Sequence, residues 1–316
     1  MEFSQPMGAM IELTSLCDLK CLHCYNASGE KHLDDLADLE WHEIMSKILS
    51  HNMTTILFTG GEPLLRRQLL LDLIQRISSR PEIKIVVNSN GQNIDEDFLE
   101  KLAGCPNEKM IQISIDGAYP DLHEAVRRVP GSWKKAIDAC LLISRYSIEL
   151  RLAHTINKVN IDSIEHMIML ALFVGANLLG LSPTVPLGRG RDEGSELILP
   201  YSDRLNVNKT IEGLKEKYKS VLKIEHTLAG GKEYYQWYKS YYQDWLIIDP
   251  TGNIKLENRL PFIVGSVVSE SIPEIWEKVN HYQKSKYVQE KIDEFIFKNI
   301  EVDNLDYIYL HKEKGG

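Results

Sequence analysis

Three cysteines stand at a C-x3-C-x2-C spacing, as Cys17, Cys21 and Cys24, within the run Leu13-Thr14-Ser15-Leu16-Cys17-Asp18-Leu19-Lys20-Cys21-Leu22-His23-Cys24-Tyr25-Asn26. Three thiolates on one tight loop suit a soft metal centre. Each can hold one iron of a [4Fe–4S] cubane, leaving the fourth iron open for a small molecule to chelate. Zinc is the competing metal, but a structural zinc site closes with four donors, commonly in paired C-x2–4-C units. This chain has no second pair. Buried thiols without a metal are the bland alternative. A second feature is Gly60-Gly61-Glu62-Pro63. Two residues without side chains let a ligand approach the backbone closely, although an ordinary glycine turn before a helix reads the same way.

The elements that must position these residues alternate. Apolar runs predict strands over 8–13, 54–59, 82–87, 110–115, 148–155 and 177–185. Helical spacing marks 34–50, 67–79, 95–103, 132–146 and 161–174. Strand–helix alternation predicts a parallel sheet with helices outside it. Six units fall short of an eight-unit barrel. In such folds chemistry gathers at the C-terminal ends of strands. The cysteine loop, the glycine turn, Ser89-Asn90-Gly91 and Ser114-Ile115-Asp116-Gly117 all fall there. That coincidence carries more weight than any one motif.

Beyond residue 195 the rhythm changes. Residues 201–219 read as a charged helix. The aromatic segment 234–245 suits core packing or a partner interface better than substrate contact. Residues 246–255 read as strand, turn, strand around Asp249-Pro250-Thr251-Gly252. Ser271 suits a helix cap with Pro273 in the first turn. At 316 residues the chain can bury a large core, and a net charge of −9 disfavours a broad nucleic-acid surface. No apolar run is long enough to span a membrane, and the N-terminus lacks a signal-peptide pattern. Five cysteines, three of them in one motif, speak against a disulfide framework and for a reducing cytoplasm. Cys105 and Cys140 read as packing thiols.

The cysteine motif followed by Gly60-Gly61-Glu62-Pro63 closely resembles the radical S-adenosylmethionine (radical SAM) superfamily. The resemblance implies a partial (β/α)6 TIM barrel, open on one side. It implies one [4Fe–4S] cluster on Cys17, Cys21 and Cys24, with SAM bound at the open iron. It places the Gly60-Gly61 turn at the SAM amino group with Glu62 nearby, and His23 near the adenine, for which a solvent-facing loop histidine is the alternative. Ser89, Asn90, Ser114 and Asp116 fall near the ribose and carboxylate. Capping and turn formation compete for those four residues. Arg151, on the fifth predicted strand, could pair with the SAM carboxylate as a fork or form a surface ion pair. Arg189, after the sixth strand, resembles a loop brace. Asp249-Pro250-Thr251-Gly252 and Ile272-Pro273-Glu274-Ile275-Trp276 resemble the frame of a SPASM/twitch extension. Such extensions carry auxiliary-cluster cysteines in relatives, whereas Leu256 and Glu257 stand near the expected ligand position here. The implied organisation is a radical SAM core over 1–195 and a degenerate extension with a helical tail over 196–316.

The activity implied is reductive SAM cleavage and hydrogen abstraction from a substrate. A ribosomal peptide is the leading substrate, and cross-linking or another oxidation ranks above epimerisation. A small molecule such as a sugar, nucleoside or amino acid is the alternative. A metal-binding or interaction protein that keeps the fold without catalysis is a third reading. The expected partner is an external electron donor, such as flavodoxin or ferredoxin, and recognition of a ribosomal peptide would come from the barrel, the C-terminal part or a separate peptide-recognition protein. Neither nucleic acid nor membrane is expected.

Overall fold

In a computed structural model of the chain, the residues described are 3–32, 34–227, 238–258, 260–297 and 308–310. Of the aromatic segment, residues 234–237 lie outside them. All six predicted strands form: β1 (Gly8–Glu12), β2 (Thr55–Thr59), β3 (Lys84–Ser89), β4 (Lys109–Ser114), β5 (Glu149–Ile156) and β6 (Leu178–Pro183). Each pairs in parallel with the next. Two further strands extend this array. β7 (Lys223–His226) joins β6, and β8 (Trp245–Ile248) joins the free edge of β1, both in parallel. Then β9 (Asn253–Lys255) turns back antiparallel on β8, and β10 (Phe262–Ser266) and β11 (Ile308–Tyr309) complete that side. The sheet order is β11-β10-β9-β8-β1-β2-β3-β4-β5-β6-β7. This is an open, partial barrel, with the cysteine loop leaving a strand paired on both sides.

Strand alternation divides the sheet into two faces. Ile11, Ile56, Phe58, Ile85, Val87, Ile111, Ile113, Leu150 and Leu152 are buried under the helices. The other parity places Met10, Leu57, Asn88, Gln112, Ser114, Arg151 and Thr155 on the concave face, where they are half-buried. The helices supply the complementary stripe. In α1 (Asp38–Leu49), Trp41, Ile44, Met45 and Ile48 are buried, and in α2 (Arg67–Ile77), Leu69, Leu70, Leu73, Ile74 and Ile77 are. Burial contributes roughly 1.5–3 kcal/mol per large apolar side chain, so this layer rather than helix propensity holds the outer wall. α3 (Glu96–Ala103) is capped by Asp95, whose carboxylate accepts the Phe98 N–H at 3.0 Å.

Helix α1 starts later than its spacing predicts, because the preceding residues serve the cysteine loop. Asp35 Oδ2 accepts bonds from the Ser15 N–H and the Thr14 hydroxyl, both at 2.8 Å. A helix absent from the sequence reading, α4 (Pro120–Arg127), follows Asp116-Gly117. It precedes α5 (Ser132–Ile143), α6 (Ile164–Phe173) and α7 (Tyr201–Tyr218). In α8 (Ile272–Gln283), Ser271 and Glu274 form the expected capping box with Pro273 in the first turn. α9 (Lys286–Phe297) follows.

Candidate active site

The loop after β1 is fastened from several sides. The Cys17 N–H donates to the Gly29 carbonyl at 2.7 Å, and the Gly29 N–H returns to Ser15 at 3.1 Å. Arg66 Nη1 donates to the Leu13 and Leu36 carbonyls at 3.0 and 2.9 Å. Arg189, expected as a brace, acts as one: its Nε donates to the Cys21 carbonyl and its N–H to that of Cys24, both at 2.9 Å. Cys21 is buried, and Cys17 and Cys24 are half-buried. Burial pushes the Cys17 thiol up to about 12 and the Cys21 thiol upward as well. Such thiols become thiolates when a soft cation takes the proton's place. Among the described residues, no three His, Cys, Asp or Glu side chains converge as ligands of a single ion. A cubane does not require that, since each cysteine takes a different iron. The donor set therefore fits a cluster better than one zinc.

The glycine turn is bonded directly to this loop. The Gly61 N–H donates to the Thr14 carbonyl at 2.7 Å and the Glu62 N–H to that of Leu16 at 2.8 Å. Gly60 has φ +123°, and a Cβ there would lie 2.6 Å from the Thr14 oxygen. A Cβ on Gly61 would lie 2.1 Å from the Leu16 oxygen. The space left by these glycines is thus filled by the cysteine loop. Glu62, fully buried, accepts the Leu64 N–H at 3.1 Å and the Ser89 hydroxyl at 3.0 Å on Oε1, and the Asn90 N–H at 2.7 Å on Oε2. Burial pushes its carboxyl up to about 7, against the pull of those bonds. Asn90 in turn donates from Nδ2 to Asp18 at 2.7 Å, and the same nitrogen lies 3.9 Å from Cys17 Sγ. Glu62, Ser89 and Asn90 form one brace under Cys17.

Asp116 is the centre of a second brace, under Cys21. It is fully buried at the turn after β4. Its Oδ2 accepts Arg127 Nε at 2.6 Å and lies 3.2 Å from His23 Nε2, while Oδ1 accepts the Thr155 N–H at 2.9 Å. The Asp116 N–H donates to His123 Nδ1 at 3.2 Å, and Asn160 Nδ2 donates to its carbonyl at 2.8 Å. Arg127 Nη1 reaches Cys21 Sγ at 3.6 Å. Burial alone would raise the Asp116 pKa. The Arg127 guanidinium, followed by the neighbouring histidines, outweighs that and holds the carboxyl below the usual range. Burial depresses His23 to about 4 and His123 to about 3. Arg127, His123 and Asn160 were missed by sequence reasoning. For His123 and Arg127 the signal would have been a helix after Asp116-Gly117 that carries His and Arg one turn apart; Asn160, in the loop after β5, has no such local signal.

Ser114 and Arg151 stand apart from both braces, on the concave face. The Ser114 hydroxyl makes no hydrogen bond among the described residues, and Ser114 sits beside Ala153 in register. Arg151, in register with Gln112, leans over Gly180 toward Glu225 of β7, with Nη2 3.5 Å from Oε2. On the opposite flank Glu12 and Lys255 form a buried pair, with Nζ 2.8 Å from Oε2, and the Tyr25 hydroxyl donates to Glu12 Oε1 at 3.4 Å. The structure therefore unites Cys17, Cys21, Cys24, His23, Gly60, Gly61, Glu62, Ser89, Asn90 and Asp116 at one end of the sheet. It leaves Ser114 and Arg151 lining the hollow beside them.

The chain is 27% identical over 202 residues to the sporulation killing factor maturation protein SkfB of Bacillus subtilis, covering 64% of this chain and 48% of that one. It is 28% identical over 225 residues to the PqqA peptide cyclase of Granulibacter bethesdensis, covering 70% and 59%. The chain thus spans about half the length of these curated relatives. Its fold matches that of Streptococcus suis SuiB bound to S-adenosylmethionine, with a TM-score of 0.70, 15% identity, and coverage of 93% of this chain and 69% of that one. The profile of the radical SAM superfamily matches residues 11–171, about half of the chain and a span that contains both braces and all three motif cysteines. By that match the chain belongs to the radical SAM superfamily.

Proposed function

We propose that this chain is a radical SAM enzyme that modifies a ribosomally made peptide, by cross-linking or another oxidation. The observation that carries this reading is the cysteine loop bonded to the glycine turn at the end of a concave, polar-lined sheet. The named activities of the relatives, maturation of a killing factor and cyclisation of a peptide, favour a peptide over a small molecule. Cys17, Cys21 and Cys24 would hold one [4Fe–4S] cluster, with SAM beside it. When bound, these supply reductive SAM cleavage and removal of a hydrogen atom from the substrate.

The protein's own part is placement. The Glu62 brace and the Asp116 brace keep Cys17 and Cys21 from moving independently. The half-buried Gln112, Ser114, Arg151 and Thr155 offer polar groups to whatever enters the hollow. The segment after residue 195 reads as a SPASM/twitch-like extension without auxiliary clusters. An external carrier such as flavodoxin or ferredoxin would supply the electron for SAM cleavage, and the electron released by a net oxidation of the substrate would return to the single cluster or to an external carrier. Recognition of the peptide by the barrel, the C-terminal part or a separate protein, and a cytoplasmic location, belong to the same reading. Among the described residues, no helix is long and apolar enough to cross a membrane.

The test is anaerobic reconstitution, followed by dithionite and SAM. One cubane of about four irons per chain and release of 5′-deoxyadenosine are expected. A reducible, cluster-loaded protein that releases none, with or without a candidate peptide, refutes the activity. Turnover in heavy water with mass spectrometry then separates the outcomes. Loss of two hydrogens without deuterium supports oxidation, and an unchanged formula with one deuterium supports epimerisation.

A further inference from the structure

Outside the motif cysteines, a polar grouping of buried Arg127, His123 and Asn160 and half-buried His23 surrounds Asp116. Asp116 has no exposure, and the Arg127 side chain is 9% exposed. The carboxylate is fixed from β5 through Thr155 and by its contact with His23. The guanidinium is fixed by the carboxylate and by its place in the last turn of α4. Its Nη1 points at a cysteine sulfur. A salt bridge serving only to fasten α4 to the loop would have no need to present an N–H to Cys21.

We propose that Arg127, aligned by Asp116, is a positioning residue that sets the reduction potential of the cluster through its N–H contact with the Cys21 sulfur. This inference rests on the radical SAM reading above. One-electron reduction adds a negative charge that spreads onto the cysteine sulfurs. An N–H donor at a sulfur stabilises the reduced form more than the oxidised form and raises the potential. Burial strengthens the effect, since the surroundings screen it little. Asp116 offsets much of the net charge of Arg127, so what acts on the sulfur is a directed N–H dipole more than a free cation. Asn90 offers a weaker counterpart at Cys17, at 3.9 Å.

The experiment is a redox titration of the reconstituted full chain, followed by electron paramagnetic resonance, with dithionite as the electron source. Arg127→Leu should make reduction at least tenfold less favourable, which is about 59 mV more negative for one electron. Arg127→Lys, which keeps a charged donor without the planar fork, should recover part of the shift. A cluster-loaded Arg127→Leu protein with unchanged potential overturns the proposal. The wild-type protein carries a second test that depends on no variant folding. With 15N-labelled arginine, electron–nuclear double resonance on the reduced cluster should show an arginine nitrogen coupling that Arg127→Lys lacks. A cluster-loaded wild type without that coupling overturns this inference alone. A wild type that takes up no [4Fe–4S] cluster overturns both this inference and the reading beneath it.

Discussion

Gly61 shows how tightly the glycine turn and the cysteine loop depend on one another. The absence of a side chain there reads, in the sequence, as room for a ligand. In the fold that room belongs to the Leu16 carbonyl, 2.1 Å from where a Cβ would stand. Gly61→Val should therefore displace the residue before Cys17 and lower the iron content of reconstituted protein several-fold, along with SAM binding. Full iron retention with only SAM binding lost would show that the loop yields elsewhere. The buried titratable groups make a second residue-level prediction. His23 and His123 are depressed by burial to about 4 and about 3, from an ordinary 6.5. Their folded pKa lies below the unfolded one, so the stability tied to their neutral forms is present above pH 6.5. It is lost as pH falls through their folded values. Glu62 runs the other way. Burial raises it from 4.5 to about 7, so its contribution is full below pH 4.5 and is lost as pH rises through 7. Between pH 6.5 and 5 it opposes the histidines. Glu62→Gln should then steepen the acid-side loss of stability by about 1.4 kcal/mol per pH unit. Urea unfolding across that range measures it, and parallel curves for the two proteins would count against a raised Glu62.

The short helix α4 decides whether Arg127 reaches the cysteine loop. It begins at Pro120, ends where Arg128 turns left-handed at φ +61°, and presses its backbone against Gly117. A Cβ on Gly117 would lie 2.5 Å from the His123 nitrogen. Gly117→Ala should push α4 outward, cost roughly 1–3 kcal/mol of stability as overpacking does, and weaken the Arg127 contact. Thermal unfolding checks the first effect, and the redox titration checks the second. Helix α4 was illegible in the sequence because two helical turns give too few residues for a periodic signal. Strand β7 was illegible for a different reason: Lys223-Ile224-Glu225-His226 is short and polar, and only the edge of β6 makes it a strand. The six strands of the core were legible because each is an apolar run, alternating in burial along β2 and β5 and nearly continuous along β1 and β6. The cysteine motif was legible because its residues are neighbours in the chain. Arg127 and Cys21 are 106 positions apart, and no local pattern announces such a contact.

The sheet also decides how much of the chain the site needs. The sequence suggests a core that stops at residue 195, yet the strand bearing the cysteine loop is flanked on one side by β8. Gly8 to Ile11 pair with Trp245 to Ile248. Lys255, from β9, meets Glu12 at the very end of β1, with side chains 4% and 1% exposed. Glu12 also receives the Tyr25 hydroxyl, next to Cys24. Removing one partner of a buried ion pair costs roughly 3–5 kcal/mol, a large share of the 5–15 kcal/mol typical of a domain. Lys255→Met should show that loss in denaturant unfolding, and adding Glu12→Leu should recover much of it by removing the stranded carboxylate. A fragment of residues 1–195 suffers more. It strips the backbone partners from one edge of β1 and from the β7 side of β6, and it leaves Glu12 buried without a cation. We expect this fragment to lack a cooperative unfolding transition and to reconstitute far fewer than four irons. If it unfolds cooperatively near the full-length midpoint and loads a complete cubane, then β8 and Lys255 are dispensable, and the radical SAM core closes on itself without the C-terminal strands.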